Sequence, residues 1–481
     1  MQFLLALIAA ILMTACATNP VTGKRELSFM SEEQEISVGR ELDAQVRQEM
    51  GLYGNPELQR YVQELGMRLA KSSQRPNLPW TFAVVDSPAV NAFALPGGFI
   101  YITRGILPYL DNEAQLVGVL GHEIGHVTAR HSAQQYTRGM GTSLGVLVGS
   151  FFVPQMRPFG DLAQTGAGML FLKFGRDDEL QADQLGARYA ARGNWDPAGV
   201  PGMLSTLGRI DEAAGDRKGV PNWLSTHPQP EDRAARAAET VKKVRTGSEA
   251  PWVVDRDGYL ARIDGIVFGD DPEEGVVRGN TFLHAPLRFA LEFPDGWEIT
   301  NSEEQVVAQE PGNKVFMVLR TIDPRVGRSI DQAAQQHMKS SGYRTTDMTQ
   351  TTIGGMQAVV GTYEGNASGI GKVIARGAHV QLGRSTFFIG GIAPPDMYGR
   401  VAADFDRAIQ SFRQMSQDEA NAVEPNIVDL YTAREGDTWQ SIAQRAGNGL
   451  VRASTLAIMN DHAIDEQPKP GERLKIVVAG S

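Results

Sequence analysis

Apolar residues return at helical spacing through Ala114, Leu116, Val117, Val119, Leu120, Ile124 and Val127, with no proline among them. This predicts a helix with a broad buried face, capped by Asp111. Two helices precede it. Ser31, with Gln34 three residues on, has the pattern of a capping box ahead of the inward stripe Ile36, Leu42, Val46 and Met50, and Asn55-Pro56 opens a second helix running to about Ser72. Between these and the long apolar helix, Trp80 to Val85 alternates as a strand. Asn91 to Ala94 and Phe99 to Thr103, joined through Pro96-Gly97-Gly98, read as a hairpin. Downstream, Asp178 to Ala191 and the Ala/Arg/Glu/Lys-rich stretch Asp232 to Val244 read as helices, the second as the last of this region.

From about Gly258 to Met415 the pattern changes to short alternating runs rich in valine, phenylalanine, threonine and glycine. Leu287 to Phe293, Lys314 to Arg320, Ala358 to Tyr363 and Thr386 to Gly390 read as strands, and two amphipathic helices lie near Ile330 to Ser340 and Val401 to Phe412. A polar stretch, Gln417 to Pro425, leads into a third segment. The chain of 481 residues has room for about three domains. The expected fold class is α+β: a mainly helical domain with a small sheet over 17–250, an α+β accessory domain over 258–415, a linker over 417–425, and a small C-terminal domain over 427–478.

Composition describes an ordinary globular protein, 42% hydrophobic and 21% charged, and a net charge of −10 argues against nucleic acid as a partner. There is one cysteine, so no disulfide framework is available within the chain. That residue, Cys16, ends the apolar run Phe3 to Ala15, which has the length of a signal-peptide core and is too short to span a membrane comfortably. A second apolar stretch, within Gly139 to Leu172, is cut by Pro154 and Arg157 and reads as a glycine-rich lid or a buried helical hairpin.

The chemistry lies on the long apolar helix. Residues four apart on a helix are separated by about 400°, so His122 and His126 stack on one face and can grip one metal ion. Glu123 sits about 100° round from His122, beside the metal, where a general base belongs. Glu179, 53 residues after His126, opens the next helix and can supply an anionic third ligand, and Asp183 one turn on can accept the hydrogen bond of a ligand imidazole. Two imidazoles and a carboxylate leave a fourth position for water, the arrangement of catalytic zinc. Glu123 would take a proton from that water and deliver it to the leaving amine of a cleaved peptide. His227 is the best remaining candidate to stabilise the oxyanion. With no glycine between His126 and His131, the helix is expected to continue and to turn His131 about 140° away, onto the surface. His284, His337, His379 and His462 have no ligand spacing.

Five segments in order, Asn19-Pro-Val-Thr-Gly23, Asn91-Ala-Phe-Ala-Leu-Pro-Gly-Gly98, His122-Glu-Ile-Gly-His126, Glu179-Leu-Gln-Ala-Asp183 and Ser225-Thr-His-Pro228 with Arg233, cover about residues 17 to 245. They resemble the zinc metallopeptidases related to the type 1 CAAX prenyl protease and the mitochondrial Oma-type protease, in their soluble periplasmic bacterial branch. The resemblance implies that His122, His126 and Glu179 bind one zinc ion and that Glu123 is the base. It implies that Asn91, Ala92 and Phe93 begin an edge strand that aligns substrate backbone by strand addition. It also places His227 near enough to the metal to cap a resting site. Substrates of the class would be unfolded or misassembled envelope proteins.

Thr14 and Ala15 before Cys16 resemble a lipoprotein processing site, although Met13 replaces the usual leucine and no Lys or Arg precedes the run. Cys16 would then carry the lipid anchor. Ala17 in place of aspartate favours the outer membrane, with the protein facing the periplasm. Tyr431 to Ala443, Leu456 to Asn460 and Lys469 to Ile476 resemble a LysM module, a strand-helix-helix-strand unit, with Gly436, Asp437 and Thr438 lining a groove for peptidoglycan. Phe293-Pro-Asp-Gly-Trp297 and Ser411-Phe412-Arg413 loosely resemble small thylakoid-lumen and stress-response domains. The competing expectation is a latent zinc-binding chaperone or scaffold tethered to peptidoglycan.

Overall fold

The computed structural model describes residues 16–23, 25–27, 30–135, 174–214, 223, 227, 230–246, 251–301, 305–312, 314–322, 329–367, 370–447 and 449–480. The apolar run before Cys16 and the expected lid over 139–172 lie outside the described residues. Two compact units divide the chain.

The first unit draws on described residues up to 135, from 174 to 269, and from 426 to 479. A short ribbon, β1 (Cys16–Thr18) against β2 (Arg25–Leu27), precedes α1 (Glu32–Glu49), whose capping box of Ser31 and Gln34 is formed. Helix α2 (Pro56–Ala70) starts where Asn55 Oδ1 accepts from the amides of Glu57 and Leu58. Strands β3 (Thr81–Val85), β4 (Ala92–Leu95) and β5 (Phe99–Thr103) form a sheet of order β3-β5-β4, with β3 parallel and β4 antiparallel to β5. The hairpin therefore has β4 as a sheet edge.

Helix α3 (Glu113–Thr128) is buried along its whole length. Its cap is Asn112, not the expected Asp111: Asn112 Oδ1 accepts from the Gln115 amide at 3.0 Å. Asp111 is drawn off by Arg256, whose Nε lies 3.0 and 3.1 Å from its two oxygens. Helices α4 (Arg176–Arg192), α5 (Gly199–Ala214), α6 (Pro230–Arg245) and α7 (Arg256–Ile263) follow, then the short strand β6 (Val267–Phe268). Helix α7 packs Tyr259, Leu260 and Ile263 into the same core as Leu116 and Leu120, so the region does not end at α6 as expected.

The second unit, 270–425 with Gly480, is sheet-rich. Strands β7 (Val276–Arg278), β8 (Thr281–His284) and β9 (Phe289–Glu292) join β17 (Arg413–Gln414) in the order β17-β9-β8-β7. Strands β10 (Glu298–Asn301), β11 (Gln305–Gln309), β12 (Phe316–Ile322), β13 (Arg344–Ile353), β14 (Met356–Ala367), β15 (Gly371–Leu382) and β16 (Ser385–Ala393) make an antiparallel sheet of order β10-β11-β12-β16-β15-β14-β13. Helices α8 (Ile330–Ser340) and α9 (Pro395–Ser411) accompany it, and α9 begins six residues before the expected Val401 because Pro395 occupies the favoured first position. The expected linker holds α10 (Gln417–Asn421), fixed by a Ser416/Glu419 capping box, and Ala420 and Val423 pack against Val276, Ala290 and Met415.

The chain then returns to the first unit. β18 (Asn426–Thr432), α11 (Trp439–Gly447), α12 (Ala453–Met459) and β19 (Arg473–Ala479) form a strand-helix-helix-strand segment whose sheet recruits β6 in the order β19-β18-β6. Trp439, Ile442, Leu456, Leu474 and Ile476 share one hydrophobic core with Leu110, Leu116 and Leu120. Lys475, fully buried, donates to the Leu110 carbonyl at 2.6 Å, and burial pushes its pKa down to about 8. The compact units thus cut the chain differently from the expected boundaries: 426–479 belongs with the helices around α3. Among the described residues no helix is long and apolar enough to cross a membrane.

Because the last segment completes the core at the start of α3, deleting residues 426–481 is expected to lower the melting temperature of the helix-rich unit by about 10 °C or more. Calorimetry of the shortened chain checks this. An unchanged transition would show the segment to be an appended module.

Candidate metal centre

The site exists because α3 and α4 approach closely. A Cβ added at Gly121 would lie 3.0 Å from Gly186 Cα, and one at Gly125 would lie 3.0 Å from Ala182 Cα. Each glycine inside a helix costs about 0.5–1 kcal/mol relative to alanine. Here that cost is offset by a seam through which the first turns of α4 deliver Glu179 and Asp183 to the histidine face of α3. All of the side chains concerned are buried, His122, Glu123, His126 and Glu179 completely.

His122 Nδ1 donates to Asp183 Oδ1 at 2.8 Å, which fixes the ring so that Nε2 offers a lone pair. That Nε2 lies 2.9 Å from His126 Nε2, and Glu179 oxygens lie 3.7 Å from the first and 3.4 Å from the second. With His227 these donors fall within 4.8 Å of one another, the one such group among the described residues. Burial holds the His122 pKa well below its ordinary value and takes His126 down to about 3, with the Arg233 charge adding to the His126 effect. Neutral imidazoles facing each other and an anionic oxygen are a donor set that fits a divalent cation, and zinc above all.

Glu123 takes no part in that set. Both its carboxylate oxygens are buried without a hydrogen-bond partner among the described residues, and burial, then the neighbouring Glu179 charge, raises its pKa well above the ordinary value. His227 Nε2 approaches Glu123 Oε1 to 3.6 Å. The His227 ring stacks on Trp223 at 3.8 Å, and its Nδ1 lies 3.3 Å from the Trp223 carbonyl, so Nε2 faces the cluster. Phe174 lies 3.9 Å from the His126 ring. Arg233 closes the back of the site: its Nε and one terminal nitrogen each donate to Asp183 at 2.8 Å, and the other terminal nitrogen lies 2.6 Å from Glu179. Sequence reasoning quoted Arg233 only as part of a motif and passed over Trp223 and Phe174. The four-residue spacing of Trp223 and His227 was the available signal.

His131 is not on the surface. It is 2% exposed, and its Nδ1 meets His126 Nδ1 at 3.0 Å. The helix does not continue as expected, because Arg130 takes a left-handed conformation (φ 66°) and turns the chain back. The next residue, Ser132, donates from Oγ to the Ala94 carbonyl of edge strand β4 at 3.1 Å. Asn91, Ala92 and Phe93 are all buried, and Asn91 Oδ1 accepts the Ala92 amide at 2.9 Å. Far from the metal-binding group in sequence, Gly436 has φ +81°, Asp437 accepts from the Arg434 amide and the Tyr431 hydroxyl at 2.8 Å, and Thr438 Oγ1 accepts the Ser441 amide. These three residues build a turn and a helix start. Cys16 begins β1. His337 Nδ1 and His379 Nε2 meet at 2.9 Å in the second unit beside Arg320, and His462 pairs with Glu472 at 2.8 Å.

Comparison with known proteins agrees with this geometry. The profile of Peptidase family M48 matches residues 56–241, which contain every residue of the cluster. The beta-barrel assembly-enhancing protease of Escherichia coli (strain K12) is 30% identical over 363 residues, covering 70% of this chain and 72% of that protein. The mitochondrial metalloendopeptidase OMA1 of Arabidopsis thaliana is 34% identical over 171 residues, 35% of this chain and 33% of that protein. Among solved structures, cyanobacterial PsbP from Synechocystis sp. PCC 6803 is 12% identical over 29% of this chain and 95% of that one, with a TM-score of 0.24, a likeness that carries no functional argument. A donor set suited to zinc, a buried carboxylate beside it and relatives of this extent place the chain in peptidase family M48, as a zinc-dependent metalloendopeptidase.

Proposed function

We propose that this protein is a zinc endopeptidase of the cell envelope that cleaves misfolded or stalled envelope proteins, with His122, His126 and Glu179 as zinc ligands and Glu123 as general base. The observation that carries the catalytic part is Glu123: a buried carboxylate with no hydrogen-bond partner among the described residues, set against the donor cluster. A bound zinc ion supplies Lewis acidity and brings the pKa of its water towards ~7. Glu123 is placed to hold the proton released there and to pass it to the leaving amine. Asp183 keeps His122 in the tautomer that presents Nε2, and Arg233 holds Asp183 in place through two hydrogen bonds.

His227 reads best as a cap on the resting site. Its Nε2 belongs to the same donor group as the three ligands, and stacking on Trp223 leaves that atom facing them. The latent-scaffold reading draws on the same observation. Edge strand β4 is the reading for substrate alignment. Its outward groups are partly taken, by Asn91 on the Ala92 amide and Ser132 on the Ala94 carbonyl, so an arriving strand has to displace them. Envelope substrates are supported by the name of the relatives that act in beta-barrel assembly. A periplasmic setting, a lipid anchor at Cys16 and peptidoglycan contact through Gly436, Asp437 and Thr438 complete the proposal. The carboxylate of Asp437 is committed to its own turn, so glycan contact would fall to Gly436, Thr438 and the backbone around them.

Purified protein is expected to cleave casein, to lose that activity to a chelator and to regain it with zinc. Glu123→Gln should keep its zinc and lose roughly 10²–10⁴-fold in kcat. Zinc retained with unchanged cleavage would remove Glu123 from the base role, and no chelator-sensitive cleavage in any variant would favour the scaffold. His227→Ala is expected to raise cleavage by uncovering the site. A fall in kcat at unchanged KM would instead assign His227 to the oxyanion.

A further inference from the structure

We propose that His131 is a positioning residue for the metal, orienting ligand His126 as Asp183 orients His122; this rests on the zinc-site reading above. His131 lies between the two ligand-bearing helices. Its Nδ1 faces His126 Nδ1 at 3.0 Å, and its Nε2 lies 2.9 Å from Gln181 Oε1 and 3.6 Å from Asp178 Oδ1, both on α4. One proton must sit between the two facing Nδ1 atoms. Asp178 and the Gln181 oxygen are acceptors, so they call for a proton on His131 Nε2. His131 is then an acceptor at Nδ1, His126 carries its proton on Nδ1, and His126 Nε2 presents a lone pair to the cluster. The opposite tautomer would set His131 Nε2 as an acceptor against acceptors and put a proton on the atom that must bind metal.

The backbone is built to deliver this contact. Arg130 adopts φ 66°, a conformation rare for side chains with a Cβ. Its guanidinium is ion-paired with Glu35, which is 1% exposed, and donates to the Met30 carbonyl. Arg75 fastens the same corner, lying 2.9 Å from Glu35 and donating to the Val127 carbonyl at 3.1 Å. Without this left-handed residue α3 would carry His131 away from His126. One ligand imidazole is therefore steered by a carboxylate from α4, and the other by an imidazole relayed to α4.

The test measures zinc affinity of the full chain by competition with a chromogenic chelator, alongside the melting temperature of the metal-free form. His131→Leu is expected to weaken zinc binding roughly 10–100-fold, the range for an outer-shell partner. His131→Asn, whose Oδ1 replaces the Nδ1 acceptor, should stay near wild type, and Gln181→Leu should fall between the two. Wild-type affinity in His131→Leu overturns the proposal, as does a His131→Asn protein as weak as His131→Leu at equal metal-free stability. If His131→Leu does not fold, unchanged affinity in Gln181→Leu overturns it. A wild-type chain that takes up no zinc overturns the metal site itself, an outcome distinct from all of these.

Discussion

The close approach of α3 and α4 is the constraint on which the rest depends. It gathers three buried carboxylates, Glu123, Glu179 and Asp183, with one guanidinium, Arg233. When all are ionised that set is two charges short of neutrality, and burial accordingly pushes all three carboxyl groups towards their protonated forms. Uncompensated charge in such a place costs several kcal/mol per ion. A divalent cation at the converging lone pairs would offset that excess negative charge. The glycine seam, the charge imbalance and the facing imidazoles are therefore one feature seen three ways.

Much of this was legible in the sequence because it rests on local periodicity. A four-residue spacing on a helix sets His122 beside His126 whatever the rest of the chain does, and the capping box at Ser31 and the N-cap at Asn55 are similarly local. What was not legible depended on distant partners. Asp111 was the expected cap of α3, but Arg256, 145 residues on, takes its carboxylate. His131 looked like a surface residue because no glycine announced a turn. The turn is made by an arginine, and the groups that hold it there, Glu35 and the Met30 carbonyl, lie about a hundred residues back. In the second unit, β13 and β15 escaped notice for a related reason. Arg344 to Ile353 is an edge strand with little buried on either face, and β15 sets glycine, alanine, arginine and histidine between its valines, so its alternation is broken.

The C-terminal segment shows how a resemblance can describe a shape and still leave its role open. Its strand-helix-helix-strand order is the one expected, yet its sheet takes a strand from the region after α7 and its core is the core of α3. Lys475 is informative here. A fully buried ammonium donating to the carbonyl of Leu110, with Asp111 at 4.0 Å, ties the last strand to the residues that begin α3. The turn at Gly436 is exposed, while Trp439, Leu456 and Leu474 of the same segment are part of the support for the metal helix.

On the reading proposed above, that support bears on how the site is covered at rest. The four donors are buried, His227 is stacked in place, Phe174 covers His126, and the edge strand satisfies part of its own hydrogen bonding through Asn91 and Ser132. On the reading proposed above, an extended segment reaches Glu123 past His227 and along a strand edge whose outward groups are partly taken. Helices α3 and α4, with the corner at Arg130 beside them, carry His122, His126 and Glu179, while His227 comes from a separate stretch between α5 and α6. On the proposed reading, separating the three ligands from the covering histidine in this way lets the metal geometry persist while access changes. On the proposed reading, that is the property a peptidase needs if it is to spare folded neighbours and act on chains that present an extended strand.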